Sequence, residues 1–301
     1  MKINRRNIIK KFRSYIYIIA NNYEMNKIEK RGRPNKFKLH YYIKHIIKVL
    51  IYGYAWENLE CTCDVSTIRK KFYKWRDNEI FYKAYQLCIE YYIDSTEIVN
   101  LHIDATVIGN ENCQECIGYT YKLKSKKAIK INSIVTDDRI TISHIISTPS
   151  NHDVYFIEPC VEQLNDKLNA TYHNPIYVNG DKGYTSKEIK IKLKDKNYIL
   201  VYPRKKNAIS KENYKYRNKL KNRFKVEVSY AHTKKRYKRI KIPTDKKILN
   251  YNVFYMLSLV MDILRHLSIK RQYAKFNKLL SDTLKTPIDY SNYNPYIHIE
   301  Y

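Results

Sequence analysis

Apolar residues recur with two different spacings along the chain, and the spacing changes near residue 98. Before that point, between residues 39 and 98, large apolar side chains recur every three or four residues, which predicts amphipathic helices. After it, short apolar runs alternate with helical patterns, which is typical of an α/β domain. We therefore expect a helical N-terminal region over residues 1–98, an α/β domain over 99–270 that ends in helices, and a loose tail over 271–301.

The individual elements of the α/β region follow from the same patterns. Short apolar runs bounded by polar residues predict buried strands, at 98–104, 175–181 and 198–202. Two alternating runs joined by Asp137-Asp138 predict a β-hairpin, over 130–136 and 140–146. Helical spacing and N-capping sequences predict helices, at 151–168, 186–196, 210–240 and 248–270.

The chain is strongly basic, with 57 Lys and Arg against 29 Asp and Glu and a formal net charge of +28. A charge of this size attracts polyanions, and phosphate backbones are the commonest polyanions. The codon bias of an AT-rich genome would account for the 31 Tyr and 6 Gly. That bias favours Asn as much as Lys, however, so it leaves the charge imbalance unexplained. The composition therefore predicts a nucleic-acid partner.

A basic helix in the N-terminal region is a candidate for DNA contact. The sequence 64–67, Asp-Val-Ser-Thr, offers a turn with capping residues. The predicted helix that follows carries Arg69, Lys70 and Lys71 beside a large apolar face. A short helix, a turn and a basic helix are the parts of a helix-turn-helix. A plain helical bundle with a solvated charged face would give the same pattern.

Two further basic segments are candidate DNA contacts. Arg31 and Arg33 belong to an Arg-Gly-Arg-Pro sequence, which has the core of an AT-hook that enters a narrow A·T minor groove. A basic linker is the alternative for that segment. Arg236 and Arg239 lie in a second basic segment, close to the end of the predicted helix over 210–240, and we expect them to contact DNA as well.

The cysteines and the longest apolar segment indicate the compartment. Six Cys are too few for a secreted disulfide scaffold. Cys113 and Cys116 have the spacing of half a zinc site, but no second half with suitable spacing follows. The apolar segment 249–264 is interrupted by polar residues, which favours a buried helix over a membrane span. We expect an intracellular protein with reduced thiols, without a signal peptide or membrane partner, located wherever the DNA is.

Two of the predicted strands end in an aspartate, Asp104 and Asp181. In an open α/β sheet, side chains at the carboxyl ends of strands converge in one crevice. Two ionised carboxylates a few Å apart repel each other and need a cation between them at neutral pH. Hard divalent ions such as Mg²⁺ or Mn²⁺ take carboxylate oxygens as ligands. Two such ions, roughly 3.5–4 Å apart, stabilise the attacking and leaving oxygens of a phosphodiester displacement.

A third acid, Glu227, is unusual because of its surroundings. It is the only carboxylate between Asn213 and Thr244, inside a strongly basic predicted helix. An acid on a DNA-facing surface repels phosphate unless a metal ion is held against it. A salt bridge to Arg223, one helical turn earlier, is the structural alternative. Both interpretations can hold at once.

Three separated motifs resemble the DDE transposases of the IS4/IS5 superfamily. The motifs are His102-Ile103-Asp104-Ala105-Thr106, then Asn179-Gly180-Asp181-Lys182-Gly183-Tyr184, and then Arg223-x3-Glu227-x6-Lys234. The family pattern has Tyr three residues before the Arg, whereas this chain has Leu220, which suits an IS5-like branch. The similarity covers roughly residues 40–265 and is strongest over 99–241.

The resemblance implies an RNase H-like fold and a metal-dependent enzyme. Asp104 would lie on the first strand of that fold, Asp181 just after the fourth, and Glu227 on a following helix. These three would hold two Mg²⁺ or Mn²⁺ ions. DNA would be cut by hydrolysis at the element end, and the freed 3′-hydroxyl would then attack target DNA without a covalent protein–DNA intermediate.

The spacing on the predicted helix places Lys234 and Arg223 on the same face as Glu227. We expect Lys234 to hold the terminal phosphate and Arg223 to steady Glu227. The expected partners are double-stranded DNA, as element ends and target, and further copies of the chain in a homodimer or higher oligomer. Two other functions stay open. One is a catalytically inactive, transposase-derived DNA-binding protein, and the other is an RNase H-fold endonuclease that cuts without joining.

Overall fold

The computed structural model describes residues 4–25, 37–121, 123–203 and 217–284. Its α-helices are α1 (Arg5–Met25), α2 (Leu39–Tyr52), α3 (Val65–Asp77), α4 (Ile80–Asp94), α5 (Ile157–Asn165), α6 (Lys187–Asp195), α7 (Arg217–Leu220), α8 (Phe224–Arg236), α9 (Lys238–Lys241), α10 (Ile248–Ile269) and α11 (Tyr273–Thr283). Its strands are β1 (Asn100–Gly109), β2 (Gly118–Thr120), β3 (Ser125–Thr136), β4 (Thr141–Ser147), β5 (Ile176–Asn179) and β6 (Tyr198–Val201).

The described residues divide into two compact units. Unit 1 contains those up to residue 92, residues 236–244, and those from 249 onward. Unit 2 contains residues 93–235 and 245–248. The sequence patterns placed all of 99–270 in one domain, whereas nearly all of α10 belongs with the N-terminal helices. Most side chains of α10 are buried, and most of these are apolar, so this helix needs other helices around it instead of one sheet face.

Unit 1 is a set of helices packed on aromatic side chains. The ring of Phe254 on α10 stacks on Phe72 of α3, with ring centroids 5.0 Å apart, and Trp56 lies 5.3 Å from Phe72. Helix α10 is long and apolar enough to cross a membrane, but most of it is buried inside the protein, as expected of a core helix. Helix α11 buries Phe276 and Leu280, so the expected loose tail begins with an ordered helix. Residues 285–301 lie outside the described residues.

The predicted turn before the basic helix of unit 1 is confirmed. The side chain of Asp64 accepts a hydrogen bond from the backbone N–H of Ser66 at 2.7 Å, which caps the first turn of α3. Ile68, Phe72 and Trp75 are fully buried on one face of the helix. Helices α2, α3 and α4 therefore follow one another as the sequence predicted, while DNA contact by α3 stays a prediction.

Unit 2 is organised around a six-stranded sheet within the described ranges. The strand order is β2-β3-β1-β5-β6, and β4 also pairs with β3, on the edge opposite β1 and next to β2. Strands β1, β3 and β4 are antiparallel neighbours, whereas β5 and β6 run parallel to β1. Apart from the short β2, the order β4-β3-β1-β5-β6 with these directions is that of the RNase H-like fold, as expected.

Helices cover both faces of this sheet. Ser143 on β4 donates to the carbonyl of Cys160 on α5, and Ser143 is in register with Ile134. Asp104 is in register with Ser133, the residue before Ile134, and α8 lies on that face. Because successive strand residues point to opposite faces, α5 and α8 lie on opposite sides of the sheet.

The helix predicted over 151–168 is shorter in the structure, where a 3₁₀ turn over Asp153–Phe156 precedes α5. Two further predicted elements differ from the structure. Strand β1 continues for five residues beyond Asp104 to Gly109, so the prediction that this strand ends at the aspartate is wrong. The single helix predicted over 210–240 is interrupted instead. Residues 221–223 form a turn before α8, and the backbone of Tyr237, with φ −121° and ψ 101°, separates α8 from α9. Residues 204–216 lie outside the described residues.

Candidate active site

Asp104 and Asp181 are brought together where the pairing of two parallel strands, β1 and β5, ends. Strand β5 pairs with β1 only as far as the register His102↔Asn179. Asp104 therefore lies two residues beyond His102, the last residue of β1 that is paired with β5. Asp181 lies two residues beyond Asn179, the partner of His102, in the turn after β5. The side chain of Asn179 fixes this end of the pairing by donating to the carbonyl of Leu101 at 2.9 Å.

The carboxylate of Asp181 is oriented by the turn that follows it. Its Oδ1 accepts a hydrogen bond from the backbone N–H of Gly183 at 2.6 Å, which caps a short 3₁₀ turn over Lys182–Tyr184. A Cβ atom on Gly183 would lie 2.9 Å from the same Oδ1, inside van der Waals contact. Any larger residue would therefore displace the Asp181 carboxylate, and glycine allows the close approach of backbone and carboxylate.

Arg223 connects two of the three candidate acids. One guanidinium nitrogen lies 3.2 Å from Asp104 Oδ2, and the other lies 3.2 Å from Glu227 Oε1. Asp104 is mostly buried, with 18% of its side chain exposed, whereas Glu227 is 57% exposed. The salt bridge to Arg223 that the sequence analysis gave as the structural alternative for Glu227 is therefore present, and Arg223 also links Glu227 to Asp104, while the metal ion at Glu227 stays a prediction.

Helix α8 is attached to the sheet beside Asp104 by side chains that the sequence analysis did not single out. The hydroxyl of Tyr230 donates to the backbone carbonyl of Asp104 at 2.7 Å. Its ring forms a buried cluster with Val135 and Val226. Tyr230 is three residues after Glu227, so the helical spacing from Glu227 could have identified it.

Lys234 lies on the same helix and reaches the same strand. Its ammonium donates to the hydroxyl of Thr106 at 2.7 Å, two residues beyond Asp104 on β1. Because residues i and i+2 of a strand share a face, Thr106 and Asp104 point to the same side. The described geometry therefore brings the Lys234 ammonium to the surface that carries the acids, as the helical spacing predicted.

Asp137, in the β3–β4 turn, holds the first turn of α8. It accepts hydrogen bonds from Lys225 at 2.6 Å and from Asn100 at 2.9 Å, and His102 Nε2 lies 3.0 Å away. Burial favours the neutral carboxyl, but these hydrogen bonds outweigh burial and lower the pKa of Asp137 to about 2. The pKa of His102 is lowered by its burial, with the charges of Lys225 and Arg223 acting in the same direction.

The electrostatics at Asp104 are dominated by burial. Removal from water raises the pKa of Asp104 above its ordinary value, and the negative charges of Asp181 and Glu227 raise it further. The N–H of Ala105 and the charge of Arg223 act in the opposite direction. Tyr184, the last residue of the turn, is buried. Its pKa is raised by burial and by the negative charges of Asp153, Asp104 and Asp181. Asp104, Asp181 and Glu227 are therefore close enough to act on one another and form one neighbourhood of acids.

The donor chemistry of this neighbourhood fits a hard divalent cation. It consists of carboxylates, the ligands that Mg²⁺ and Mn²⁺ prefer, and their mutual repulsion favours a cation between them. In the arrangement seen here, no three His, Cys, Asp or Glu side chains of the described residues are close enough to hold a metal ion. The guanidinium of Arg223 is the cation that links Asp104 and Glu227 instead.

The structure corrects two of the predicted DNA contacts, both in unit 1. Lys71 is buried and forms a 2.5 Å ion pair with Glu24. Arg239 is 1% exposed, contacts the hydroxyl of Thr244, and lies over the ring of Phe254. Both side chains are committed to the core of unit 1, so neither is available to a phosphate.

The other predicted basic contacts remain untested. In unit 1, Arg236 pairs with Asp262 at 2.7 Å, and Arg69 lies 3.6 Å from the exposed Glu57. Lys70 is exposed on α3. Arg31 and Arg33 lie outside the described residues.

Comparison with known proteins gives one family match and one structural match. Residues 93–274 match the family model described as "Transposase DDE domain". The structural match is to "Cryo-EM structure of piggyBac transposase synaptic complex with hairpin DNA", at 11% sequence identity and a TM-score of 0.46. That alignment covers 97% of this chain and 81% of the other. A search of curated proteins found no match.

Proposed function

This chain belongs to the family of transposases with a DDE domain, and from that premise we propose that it cuts and joins DNA at the ends of an insertion-sequence-like element. Asp104, Asp181 and Glu227 are the proposed catalytic and metal-binding residues. The observation that carries the proposal is the position of Arg223, which hydrogen-bonds to both Asp104 and Glu227. A residue from the turn before α8 thereby joins an acid of the sheet to an acid of the helix.

DDE transposase domains are generally dependent on divalent metal ions, and we propose two Mg²⁺ or Mn²⁺ ions held by these three carboxylates. When bound, such ions stabilise charge on the attacking and leaving oxygens of the phosphodiester. Glu227 is well exposed, at 57% of its side chain, so it is free to change rotamer at the surface. Arg223, which is 28% exposed, keeps the acids from repelling each other before the ions bind.

The remaining residues of the site position the DNA and the acids. Lys234 lies beside Thr106 on the strand of Asp104, and its ammonium is proposed to bind the phosphate next to the scissile bond. Tyr230 holds the backbone of Asp104, which fixes the distance between β1 and α8. Gly183 lets the turn after β5 hold Asp181 by its backbone N–H.

The proposed partners are double-stranded DNA and further copies of the chain. The net charge of +28 favours a phosphate backbone, and two element ends must be held together for joining, which favours a homodimer or higher oligomer on DNA. We propose that the protein acts inside the cell, wherever its DNA is located.

Incubation of the purified chain with labelled element ends, a target plasmid and Mg²⁺ or Mn²⁺ tests the proposal. Joined products are expected from the wild type, and Asp104→Asn should abolish cleavage while DNA affinity is unchanged or improved. Normal cleavage by this variant would remove Asp104 from the site. Cleavage without joining would support an RNase H-fold endonuclease, and binding alone would support an inactive DNA-binding protein.

A further inference from the structure

An insertion between the first two core strands projects beyond the acids. Strands β1 and β3 stay paired from Leu101↔Thr136 to Gly109↔Ala128, whereas β5 leaves β1 at His102. The ribbon therefore extends past the position of Asp104 without support from β5. Residues 110–124 connect its strands, and β2 pairs with the outer part of β3 through Gly118↔Ala128 and Thr120↔Ser125.

The end of this ribbon carries exposed aromatic rings. Tyr119 is 47% exposed and Tyr121 is 86% exposed. Their ring centroids are 5.0 Å apart at an interplanar angle of 86°, so the two rings form one edge-to-face pair on the same side of the hairpin. Leu123, which is 46% exposed, lies beside Gly109 and extends the apolar surface towards β1.

The sequence around these rings is basic. Residues 117–127 contain four lysines, Lys122, Lys124, Lys126 and Lys127, and no acid. Exposed aromatic rings within a lysine-rich segment are the combination that binds single-stranded nucleic acid, since the rings stack on bases and the ammonium groups bind phosphates. A surface for another protein is usually depleted of lysine at its centre.

We propose that Tyr119 and Tyr121, at the tip of the β2–β3 hairpin, form a second DNA contact that stacks on unpaired bases. The proposal rests on the function proposed above, because it adds a contact to the same DNA. In a fully paired duplex the base faces are covered by their neighbours, so the rings need an overhang or a base that has left the stack. Lysines of the hairpin bind the adjacent phosphates.

The ribbon also limits the distance between Asp104 and this contact. Eight residues separate Asp104 from the tip, five along β1 to Gly109 and three along β3 from Ala128 to Ser125. At about 3.3 Å per strand residue, this path is roughly 26 Å long. The backbone at the tip therefore lies no more than roughly 26 Å from the backbone of Asp104.

Binding of three DNAs to the full-length protein tests the proposal: a blunt duplex, a duplex with a single-stranded overhang, and a duplex with a central mismatch. The double variant Tyr119→Ala/Tyr121→Ala should weaken binding of at least one unpaired substrate by about tenfold or more. Blunt-duplex affinity should stay unchanged. The two unpaired substrates distinguish an overhang from a base displaced within a duplex.

Two variants serve as controls. Tyr121→Phe keeps the ring and should retain wild-type binding of unpaired bases. Tyr172→Ala removes an equally exposed ring, at 85% exposure, from the loop before β5 and should have no effect. A 2-aminopurine base moved along an overhang should be quenched most strongly at the position where the rings stack on it, and the double variant should lose this maximum.

Equal binding of all three DNAs by the double variant and the wild type would overturn the proposal. An equal loss on the blunt duplex would do so too, because it would indicate a phosphate or groove contact without stacking. Full DNA binding together with loss of self-association would assign the tip to a protein contact. Each of these outcomes can occur with normal cleavage, so failure here is distinct from failure of the proposed function, which Asp104→Asn tests.

Discussion

The hydroxyl of Tyr230 donates to the backbone carbonyl of Asp104 at 2.7 Å, and this contact joins the helix of Glu227 to the strand of Asp104. Because Tyr230 is 6% exposed, the bond is protected from water. Tyr230→Phe removes the bond and keeps the ring in its cluster. We expect the free energy of unfolding in urea to fall by about 1 kcal/mol and the cleavage rate to fall by roughly 10–100-fold.

Tyr172→Phe is the matched control for this substitution, since it removes the same hydroxyl from an exposed ring. It should change neither quantity. A Tyr230→Phe protein that loses stability but cleaves at the wild-type rate would show that the bond serves the fold and not the position of the acids.

Arg223 should affect cleavage both through its charge and through its planar guanidinium group, which binds two carboxylates at once. Its charge lowers the pKa of Asp104, against burial, which raises it. Arg223→Ala removes this effect, so the pKa of Asp104 rises and the acid limb of the cleavage pH profile moves to higher pH. Arg223→Lys keeps the charge but cannot hold both carboxylates at once. It should leave the acid limb near the wild-type position and lower the maximal rate.

The decisive measurement is the pH dependence of cleavage for wild type, Arg223→Ala and Arg223→Lys under the same metal concentration. Identical acid limbs in all three proteins would exclude an electrostatic effect of Arg223 on Asp104. Identical maximal rates for wild type and Arg223→Lys would exclude a need for the bidentate contact.

Local sequence patterns were sufficient for five of the six described strands, all except the short β2, and they placed Asp104 on β1 and Asp181 after β5. Alternation predicted the β3–β4 hairpin, and apolar runs predicted β5 and β6. The continuation of β1 past Asp104 could not be predicted in this way. Within the described residues, its outer part pairs with β3 and not with β5, so its residues are partly exposed and lack the apolar run of a buried strand.

The contacts that hold the site together also could not be predicted, since they join residues distant in sequence. Lys71 and Arg239 carry the same charge as residues on a DNA-binding surface, and nothing in their local sequence indicates burial. Glu24 and Thr244, which contact them, are known as partners only from the fold. Tyr230 and Asp137 are similar cases, because their roles depend on which strand and helix are adjacent.

Gly183 is predicted to be essential for the position of Asp181. A methyl group at residue 183 would lie 2.9 Å from Asp181 Oδ1, so the carboxylate must move in Gly183→Ala. We expect cleavage to fall on the order of 100-fold, as for a displacement of about 1 Å at a reacting centre, with little change in the melting temperature. Gly109→Ala, where the nearest atom is 3.7 Å from the added carbon, should cleave normally.

Because of Asp137, the free energy of unfolding should decrease as the pH falls below about 4. Its hydrogen bonds to Lys225, His102 and Asn100 outweigh burial and lower its folded-state pKa to about 2, below the ordinary value of 3.8. The stabilisation is therefore present above about pH 4 and is lost as the pH falls towards 2. Urea unfolding at several pH values should show this loss in the wild type and a smaller one in Asp137→Asn.

Asp138→Asn removes the same charge from the neighbouring, exposed position and is the control for that experiment. It should keep the wild-type pH dependence. Asp137→Asn should also slow cleavage at neutral pH, because Lys225 then loses its partner and the first turn of α8 is less well held. Equal stability of Asp137→Asn and the wild type above about pH 4 would mean that Asp137 does not anchor this helix.

On α3, two adjacent lysines should behave in opposite ways. Lys70 is exposed, so Lys70→Ala should leave stability unchanged. If Lys70 binds a phosphate, the slope of the plot of log affinity against log salt should become smaller in magnitude by about 0.9.

Lys71 is buried against Glu24, and Lys71→Ala leaves that carboxylate without its ion pair. We expect a loss of roughly 3 kcal/mol in the free energy of unfolding, while the salt slope of the remaining folded protein is unchanged. Fluorescence anisotropy of labelled duplex DNA between low and physiological salt measures the slopes, and urea unfolding measures the stabilities. An unchanged slope in Lys70→Ala would remove Lys70 from the DNA contacts and would favour a solvated face on α3.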